Sequence, residues 1–246
     1  MENIIGEGSS VQTSDLKIIK CVLFDLDGVI LDSEYGCFSL MSKTLKKLGV
    51  NVSVDELLKY IGYSSPQIAK SIVTKYNLPM SAEEFMAKSR ETGSFYADFE
   101  DLCPLDNCQD FLITLKQDGL KTAVVSSTGS KSVLTALNRI GILQHFNAVV
   151  CGDMVQNTKP SPEGYLKAAE LLGVDPENCL VIEDSPIGIC AGLSAGMRVV
   201  GFSGASVRQD TSQAHIQVDS FSKLLEFYKK RLLNQDTRLS DVISAK

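Results

Sequence analysis

Two aspartates leave an apolar run in the segment Phe24-Asp25-Leu26-Asp27-Gly28-Val29. In extended backbone, residues two apart point the same way, so both carboxylates can face one site. Taken alone, Asp-x-Asp is common and reads as a loop with two solvated aspartates. Three later segments also follow apolar runs. Val125 leads into Ser126-Ser127-Thr128-Gly129, a turn whose hydroxyls and free backbone N–H groups can hold an oxyanion. Its simpler role is to cap the next helix. Val150 leads through a loop to Lys159-Pro160, where the proline fixes an extended approach. A lone loop lysine is usually a solvated charge. Ile182 leads into Glu183-Asp184-Ser185-Pro186, two carboxylates at the mouth of a helix, where acidic residues often only complement the dipole.

These segments matter together only if their elements bring them to one place. Lys20–Phe24, Thr122–Val125, Ala148–Val150, Leu180–Ile182 and Arg198–Gly201 read as strands, with His215–Val218 a weak sixth. Runs apolar on nearly every residue suit strands buried on both faces. Helices lie between them. Ser130 is expected to cap one carrying Val133, Leu134, Leu137 and Ile140, ended by Gly141. Ser161-Pro162 opens a second, with Leu166, Ala169 and Leu172, and Ser185-Pro186 opens a third running to Gly196. The alternation predicts an α/β fold, a Rossmann-like, doubly wound parallel sheet. Such a sheet binds ligands at the carboxyl ends of its strands, and all four segments above leave that edge.

One stretch breaks the alternation. From Ser33 to about Cys103 only helical patterns occur: Glu34–Leu48, Val54–Tyr60, Pro66–Tyr76, and a capping box at Ser81–Glu84 opening a helix to about Phe99. The reading is therefore a flexible leader over 1–17, an α/β core over 18–32 and 104–233, a small helical cap inserted over 33–103, and a tail over 234–246.

Composition narrows the class. The 246 residues are 44% apolar and carry a net charge of −6, which argues against disorder and against a general phosphate-neutralising surface for nucleic acid. No run reaches the ~18 apolar residues of a membrane helix, and the leader lacks a signal-peptide apolar stretch. The seven cysteines include Cys21, Cys151 and Cys179 within apolar runs, and no His accompanies Cys103 and Cys108, so a zinc site is not expected. A reduced, cytoplasmic chain is the expectation, bound to neither nucleic acid nor membrane. Its oligomeric state is open, and a monomer is compatible with the sequence.

The order of the four segments resembles the haloacid dehalogenase-like hydrolase superfamily. They are Asp25-Leu-Asp27-Gly-Val-Ile, Ser126 after an apolar strand, Lys159-Pro160-Ser-Pro-Glu, and Val181-Ile-Glu-Asp184-Ser-Pro-Ile-Gly-Ile, so the resemblance runs from about Lys20 to Leu232. The helical insertion looks like the small cap of the β-phosphoglucomutase-like sugar phosphatase group. The resemblance implies phosphoryl transfer through an aspartyl-phosphate. Asp25 would be the nucleophile. Asp27 would protonate the leaving alkoxide and then take a proton from the hydrolytic water. Ser126, with backbone N–H groups near Leu26, Asp27, Ser127 and Thr128, would bind the phosphoryl oxygens, and Lys159 would offset charge on the nucleophile and phosphoryl group. Asp25, Asp27, Glu183 and Asp184 supply four carboxylates against one lysine, and the substrate phosphate adds more negative charge. A divalent cation offsets much of this, and an all-oxygen ligand set points to Mg²⁺. Carried over from the family, its ligands are Asp25, the backbone carbonyl of Asp27, and Asp184, with Glu183 either ligating directly or standing behind them.

The resemblance also orders the alternatives. Asp27 separates this chain from dehalogenases, whose leaving halide needs no proton. Lys43, Lys46 and Lys47 fit a solvated helix end better than the Schiff-base lysine of carbon–phosphorus cleaving members. In the cap loop Tyr60–Pro66, Ser65 stands where a basic residue often serves a second anion, and Gly36-Cys37 stand where the mutases place a histidine. Lys88 and Arg90 are candidate cap cations, although solvated surface charges are the simpler reading of both. The first reading is thus a Mg²⁺-dependent phosphatase of a small phosphorylated metabolite, a sugar or polyol phosphate. A phosphomutase is the alternative, and a non-catalytic phosphate-binding regulatory protein the second alternative. The complete Asp-Asp-Ser-Lys-Asp set weighs against the last.

Overall fold

The computed structural model describes residues 19–232, so the expected leader and tail lie outside the described residues. Six strands form one parallel sheet: β1 Cys21–Phe24, β2 Lys121–Val125, β3 Ala148–Val150, β4 Cys179–Glu183, β5 Arg198–Phe202 and β6 Ile216–Val218. Their order is β3-β2-β1-β4-β5-β6. The chain winds outward from β1 in one direction, then crosses back to β4 and winds outward in the other. The crevice at that reversal, outside the carboxyl ends of β1 and β4, is where such a sheet takes ligands.

The continuous apolar runs follow from burial on both faces. Along each central strand, residues alternate between two apolar clusters. Val22, Phe24, Val124 and Ile182 join one cluster, and Cys21, Leu23, Val125 and Val181 the other. The first is covered by α6 (Cys108–Gln117), α7 (Ser130–Arg139) and α10 (Phe221–Phe227) through Phe111, Leu137 and Leu224. The second is covered by α8 (Glu163–Leu172) and α9 (Pro186–Ser194) through Tyr165, Ala168 and Ile189. Filling both faces with whole aliphatic side chains, each contributing about 1.5–3 kcal/mol on burial, sets the sheet on which the loops rest.

Between β1 and α6 every element assigned is a helix: α1 Glu34–Lys47, α2 Val54–Leu57 with a 3-10 turn over Leu58–Tyr60, α3 Ser65–Lys75, α4 Ala82–Thr92 and α5 Phe95–Asp98. These helices close on an apolar cluster of their own, built from Phe38, Leu45, Leu57, Ile72 and Phe85. Among the described residues no helix is long and apolar enough to cross a membrane.

Three local readings change. The helix opened by the Ser81 capping box stops at Thr92, because Gly93 takes φ +139°, and Phe95–Asp98 forms a separate turn. Ser130 is the first residue of α7 rather than its cap. Its backbone N–H and hydroxyl both donate to Asp153, at 2.9 and 2.7 Å, so a carboxylate from a neighbouring loop serves the orphan donors. Leu134 and Leu166 face solvent instead of the core. By contrast, Ser185 caps α9 through Gly188 N–H, as the Ser-Pro pair implies.

Candidate active site

Asp25 continues β1 by one residue, since its N–H donates to the Ile182 carbonyl at 3.0 Å. That bond aims its carboxylate across the crevice beside the end of β4. Lys159 arrives from the loop after β3, on a cis Lys159–Pro160 peptide, and is buried. Its ammonium bridges Asp25 and Glu183, 2.5 Å from the latter. Burial alone would depress this ammonium, but the two carboxylates override it and hold it above the ordinary lysine value. The net result is a lysine that stays charged at a buried site.

Glu183, the last residue of β4, is completely buried and fully engaged. One oxygen accepts from Lys159 and from the Tyr165 hydroxyl at 2.8 Å. The other accepts from the Asp184 and Ser185 N–H groups and the Ser185 hydroxyl, at 3.1–3.2 Å. Glu183 lies so close to α9 that a Cβ on Gly188 would come within 1.8 Å of its Lys159-bound oxygen.

Asp184 is the opposite case. Its Oδ2 is buried and has no hydrogen-bond partner. Burial, followed by the charges of Glu183 and Asp25, pushes its carboxyl well above the usual range. Burial likewise lifts Asp25 to about 8, against the lowering effect of Lys159. The acidic oxygens of Asp25, Glu183 and Asp184 lie within 4.8 Å of one another, a group that can hold a metal ion. The engaged Glu183 and the unpartnered Asp184 oxygen fit different places in such a group. A hard cation would be met by Asp25 and Asp184, with Glu183 holding Lys159 behind them.

Asp27 sits in a ring of hydroxyls. Ser33 and Tyr96 donate to its Oδ1 at 2.5 and 2.8 Å, and Thr128 donates to Oδ2 at 3.1 Å. The side chain of Leu26, between the two aspartates, turns into the core, which leaves only its backbone at the strand exit. On the next loop, Ser126 is buried with its hydroxyl accepting from Thr128 N–H at 3.0 Å, and the Ser127 hydroxyl oxygen is buried without a partner.

These groups line one cleft of about 920 Å³ between the sheet edge and the helical insertion. Asp25, Asp27, Ser126, Ser127, Thr128, Lys159 and Asp184 all face it. The Tyr60–Pro66 loop, Ser65 included, forms the opposite wall, and Arg90 and Lys131 stand at its lining, whereas Lys88 does not. Two residues here escaped the sequence reading. Glu34, at the start of α1, is buried against the cleft, and burial plus Asp27 and Asp25 raise its carboxyl well above the usual range. As a helix-opening acidic residue it carries no distinguishing signal. Tyr96 falls in the segment that reads as the end of one helix running from the Ser81 capping box to about Phe99. Burial and the nearby Asp27 hold its phenol above the usual tyrosine range.

Comparison with known proteins agrees with this geometry. A family model described as haloacid dehalogenase-like hydrolase matches residues 22–202. A phosphoglycolate phosphatase of Aquifex aeolicus is 33% identical over 184 residues, covering 73% of this chain and 83% of that protein. A bifunctional riboflavin kinase/FMN phosphatase of Arabidopsis thaliana is 33% identical over 192 residues. The match covers 78% of this chain, which spans only 50% of that relative's length. A solved structure of β-phosphoglucomutase from Clostridium difficile is 29% identical, with a TM-score of 0.74, covering 88% of this chain and 100% of that one.

Proposed function

The chain belongs to the haloacid dehalogenase-like hydrolase family, and from that premise we propose that it is a phosphoric monoester hydrolase. Its substrate is a small phosphorylated metabolite, a sugar or polyol phosphate, cleaved through an aspartyl-phosphate on Asp25. The observation that carries this reading is a pair of buried polar atoms without partners at one site. Asp184 Oδ2 is an acceptor suited to a cation, and Ser127 Oγ is a donor suited to a phosphoryl oxygen. Buried polar atoms are costly to leave unpaired, and two of opposite character lining the cleft that Asp25 also faces are best explained by a ligand carrying both kinds of charge.

In this mechanism the Asp25 carboxylate attacks phosphorus. The ester P–O bond breaks with its electron pair going to the leaving oxygen, which takes the proton held by Asp27. Water then attacks the aspartyl-phosphate and gives a proton to Asp27. The acyl P–O bond breaks, its electrons return to Asp25, and phosphate leaves. The Ser126 and Ser127 hydroxyls and backbone N–H groups near Leu26, Asp27 and Ser127 steady the phosphoryl oxygens, and Lys159 stabilises the charge that gathers between Asp25 and phosphorus. Asp25, the Asp27 carbonyl and Asp184 would hold Mg²⁺, which when bound supplies further charge neutralisation at the phosphoryl group. Glu183 acts through Lys159 rather than as a ligand.

We assign residues 18–32 and 104–233 to the catalytic core and 33–103 to a cap that shields the intermediate and meets the leaving group. A phosphomutase is the second reading. It is favoured by Arg90 and Lys131 at the cleft, cations that a bisphosphate's distal phosphate would need.

The test is a panel of phosphorylated metabolites assayed for inorganic phosphate, with Mg²⁺ and with excess chelator. Release from a sugar or polyol phosphate in Mg²⁺, and none in chelator, is expected. No release from any ester would overturn the reading.

A further inference from the structure

Asp27 is held unevenly. Its Oδ1 receives two hydroxyls, Ser33 at 2.5 Å and Tyr96 at 2.8 Å, whereas Oδ2 receives only Thr128 at 3.1 Å. A carboxyl oxygen has two lone-pair directions, and two donated O–H groups fill both of Oδ1's. Two donors on one oxygen and a third on the other fix the rotation of this carboxyl. Oδ2, with Thr128 alone, keeps a free lone-pair direction.

We propose that Tyr96 is a positioning residue for the general acid and base. By holding Oδ1 together with Ser33, it fixes the orientation in which the Asp27 carboxyl meets the leaving group. The proposal rests on the reading of Asp27 as the acid and base of phosphomonoester cleavage.

The position of the phenol is over-determined by its surroundings. The Arg139 guanidinium, on α7, donates to the carbonyls of Tyr96 and Phe99 at 2.9 and 2.8 Å, clamping both ends of the α5 turn to the sheet-covering helix. Phe95 stacks on Phe99 with ring centres 4.8 Å apart and meets the Tyr96 ring edge-on at 5.8 Å. Gly36 on α1 leaves the space Phe95 fills, since a Cβ there would lie 2.3 Å from the Phe95 ring. The glycine therefore admits an aromatic segment that brings the Tyr96 phenol to Asp27. A buried tyrosine that merely needs a partner for its hydroxyl could bond any carboxylate. What distinguishes a positioning role is that its loss harms only the step in which Asp27 gives a proton.

The experiment compares kcat/KM for wild type and Tyr96→Phe on two esters. One is the sugar phosphate turned over fastest in the panel, whose alkoxide needs a proton to leave. The other is 4-nitrophenyl phosphate, whose phenolate leaves unaided. Because kcat/KM covers events only through departure of the leaving group, later use of Asp27 as a base does not blur it. A fall of about 10-fold or more on the sugar phosphate, with a change under about 3-fold on the aryl ester, is expected. Arg139→Lys, which loses the two-pronged clamp, should show the same selectivity and carries the test should Tyr96→Phe not fold. Equal losses on both esters, or none, would overturn the proposal while leaving the phosphatase reading intact. A wild type inactive on every ester would overturn both.

Discussion

Gly28 and Asp184 meet without room for another atom. A Cβ on residue 28 would lie 2.1 Å from Asp184 Oδ2, on a backbone held at φ +83°. The glycine of the first motif is thus explained by the last one. It makes the tight turn after Asp27 and leaves the unpartnered carboxylate its place.

Gly28→Ala should therefore act on chemistry more than on folding. Left-handed backbone costs a β-carbon about 1–2 kcal/mol, while a displacement of about 1 Å at a reacting group can cost about 100-fold in rate. The expected result is a kcat/KM lower by about 100-fold, with half-saturation at higher Mg²⁺. A wild-type rate and magnesium titration would show that Asp184 does not depend on this contact.

The acidic cluster predicts how the metal-free protein responds to pH. Burial lifts Asp25 to about 8, and lifts Asp184 and Glu34 well above the usual range. In the unfolded chain such groups titrate near 4. The folded state thus binds more protons between about pH 4 and 8, and its stability is greatest below that window and lost as pH rises through it. Calorimetry in excess chelator should give a Tm that falls from about pH 5 to 8, with Mg²⁺ restoring more at pH 8 than at pH 5. Asp25→Asn, which removes one of the crowded charges, should raise the metal-free Tm at pH 8 while abolishing turnover. A Tm that is flat or rises with pH would contradict the crowding.

Glu183 and Asp184 are adjacent, and only their surroundings tell their roles apart. Every oxygen of Glu183 is engaged by protein donors, whereas Asp184 Oδ2 has none. Magnesium titrations should separate them. Glu183→Gln should keep magnesium affinity within a few-fold and lose rate, because Lys159 loses its second anchor. Asp184→Asn should shift affinity by about 10-fold or more, in line with loss of a ligand. Equal shifts in the two variants would place Glu183 among the ligands.

Much of this was legible from residue types and order. Strands such as Leu180–Ile182 announce themselves because both sheet faces are buried, and β4 extends that run by one residue at each end. The segments at Asp25, Ser126, Lys159 and Asp184 meet because each follows a strand of one parallel sheet. What was not legible depends on distant contacts. Whether Glu183 or Asp184 has a free oxygen is decided by Tyr165, Lys159 and the turn into α9, none of which alters the local pattern. The approach of Tyr96 to Asp27 spans 69 positions, and it depends on a break at Gly93 that the capping-box helix conceals. The role of Gly36 appears only once Phe95 is seen filling the space above it.

The last prediction separates hydrolysis from relocation of the phosphate. A mutase must keep water from its aspartyl-phosphate while a bisphosphate turns round, which requires a second anion site and a means of withholding the base. The cleft does offer cations, since Arg90 and Lys131 reach its lining, although Ser65 occupies the cap-loop position. The second requirement is where the two readings part. Asp27 is surrounded by Ser33, Tyr96 and Thr128, three hydroxyl donors that orient its carboxyl. A carboxyl so oriented by the protein's own hydroxyls needs no group brought in with the substrate to place it, so it can meet any water that reaches the intermediate. Phosphorus NMR of glucose 1-phosphate and other sugar phosphates, with and without a sugar bisphosphate, should therefore show inorganic phosphate accumulating without need of the bisphosphate. Isomer conversion that outpaces phosphate release and depends on the bisphosphate would instead establish the mutase, with Arg90 and Lys131 as the first residues to examine for its second anion site.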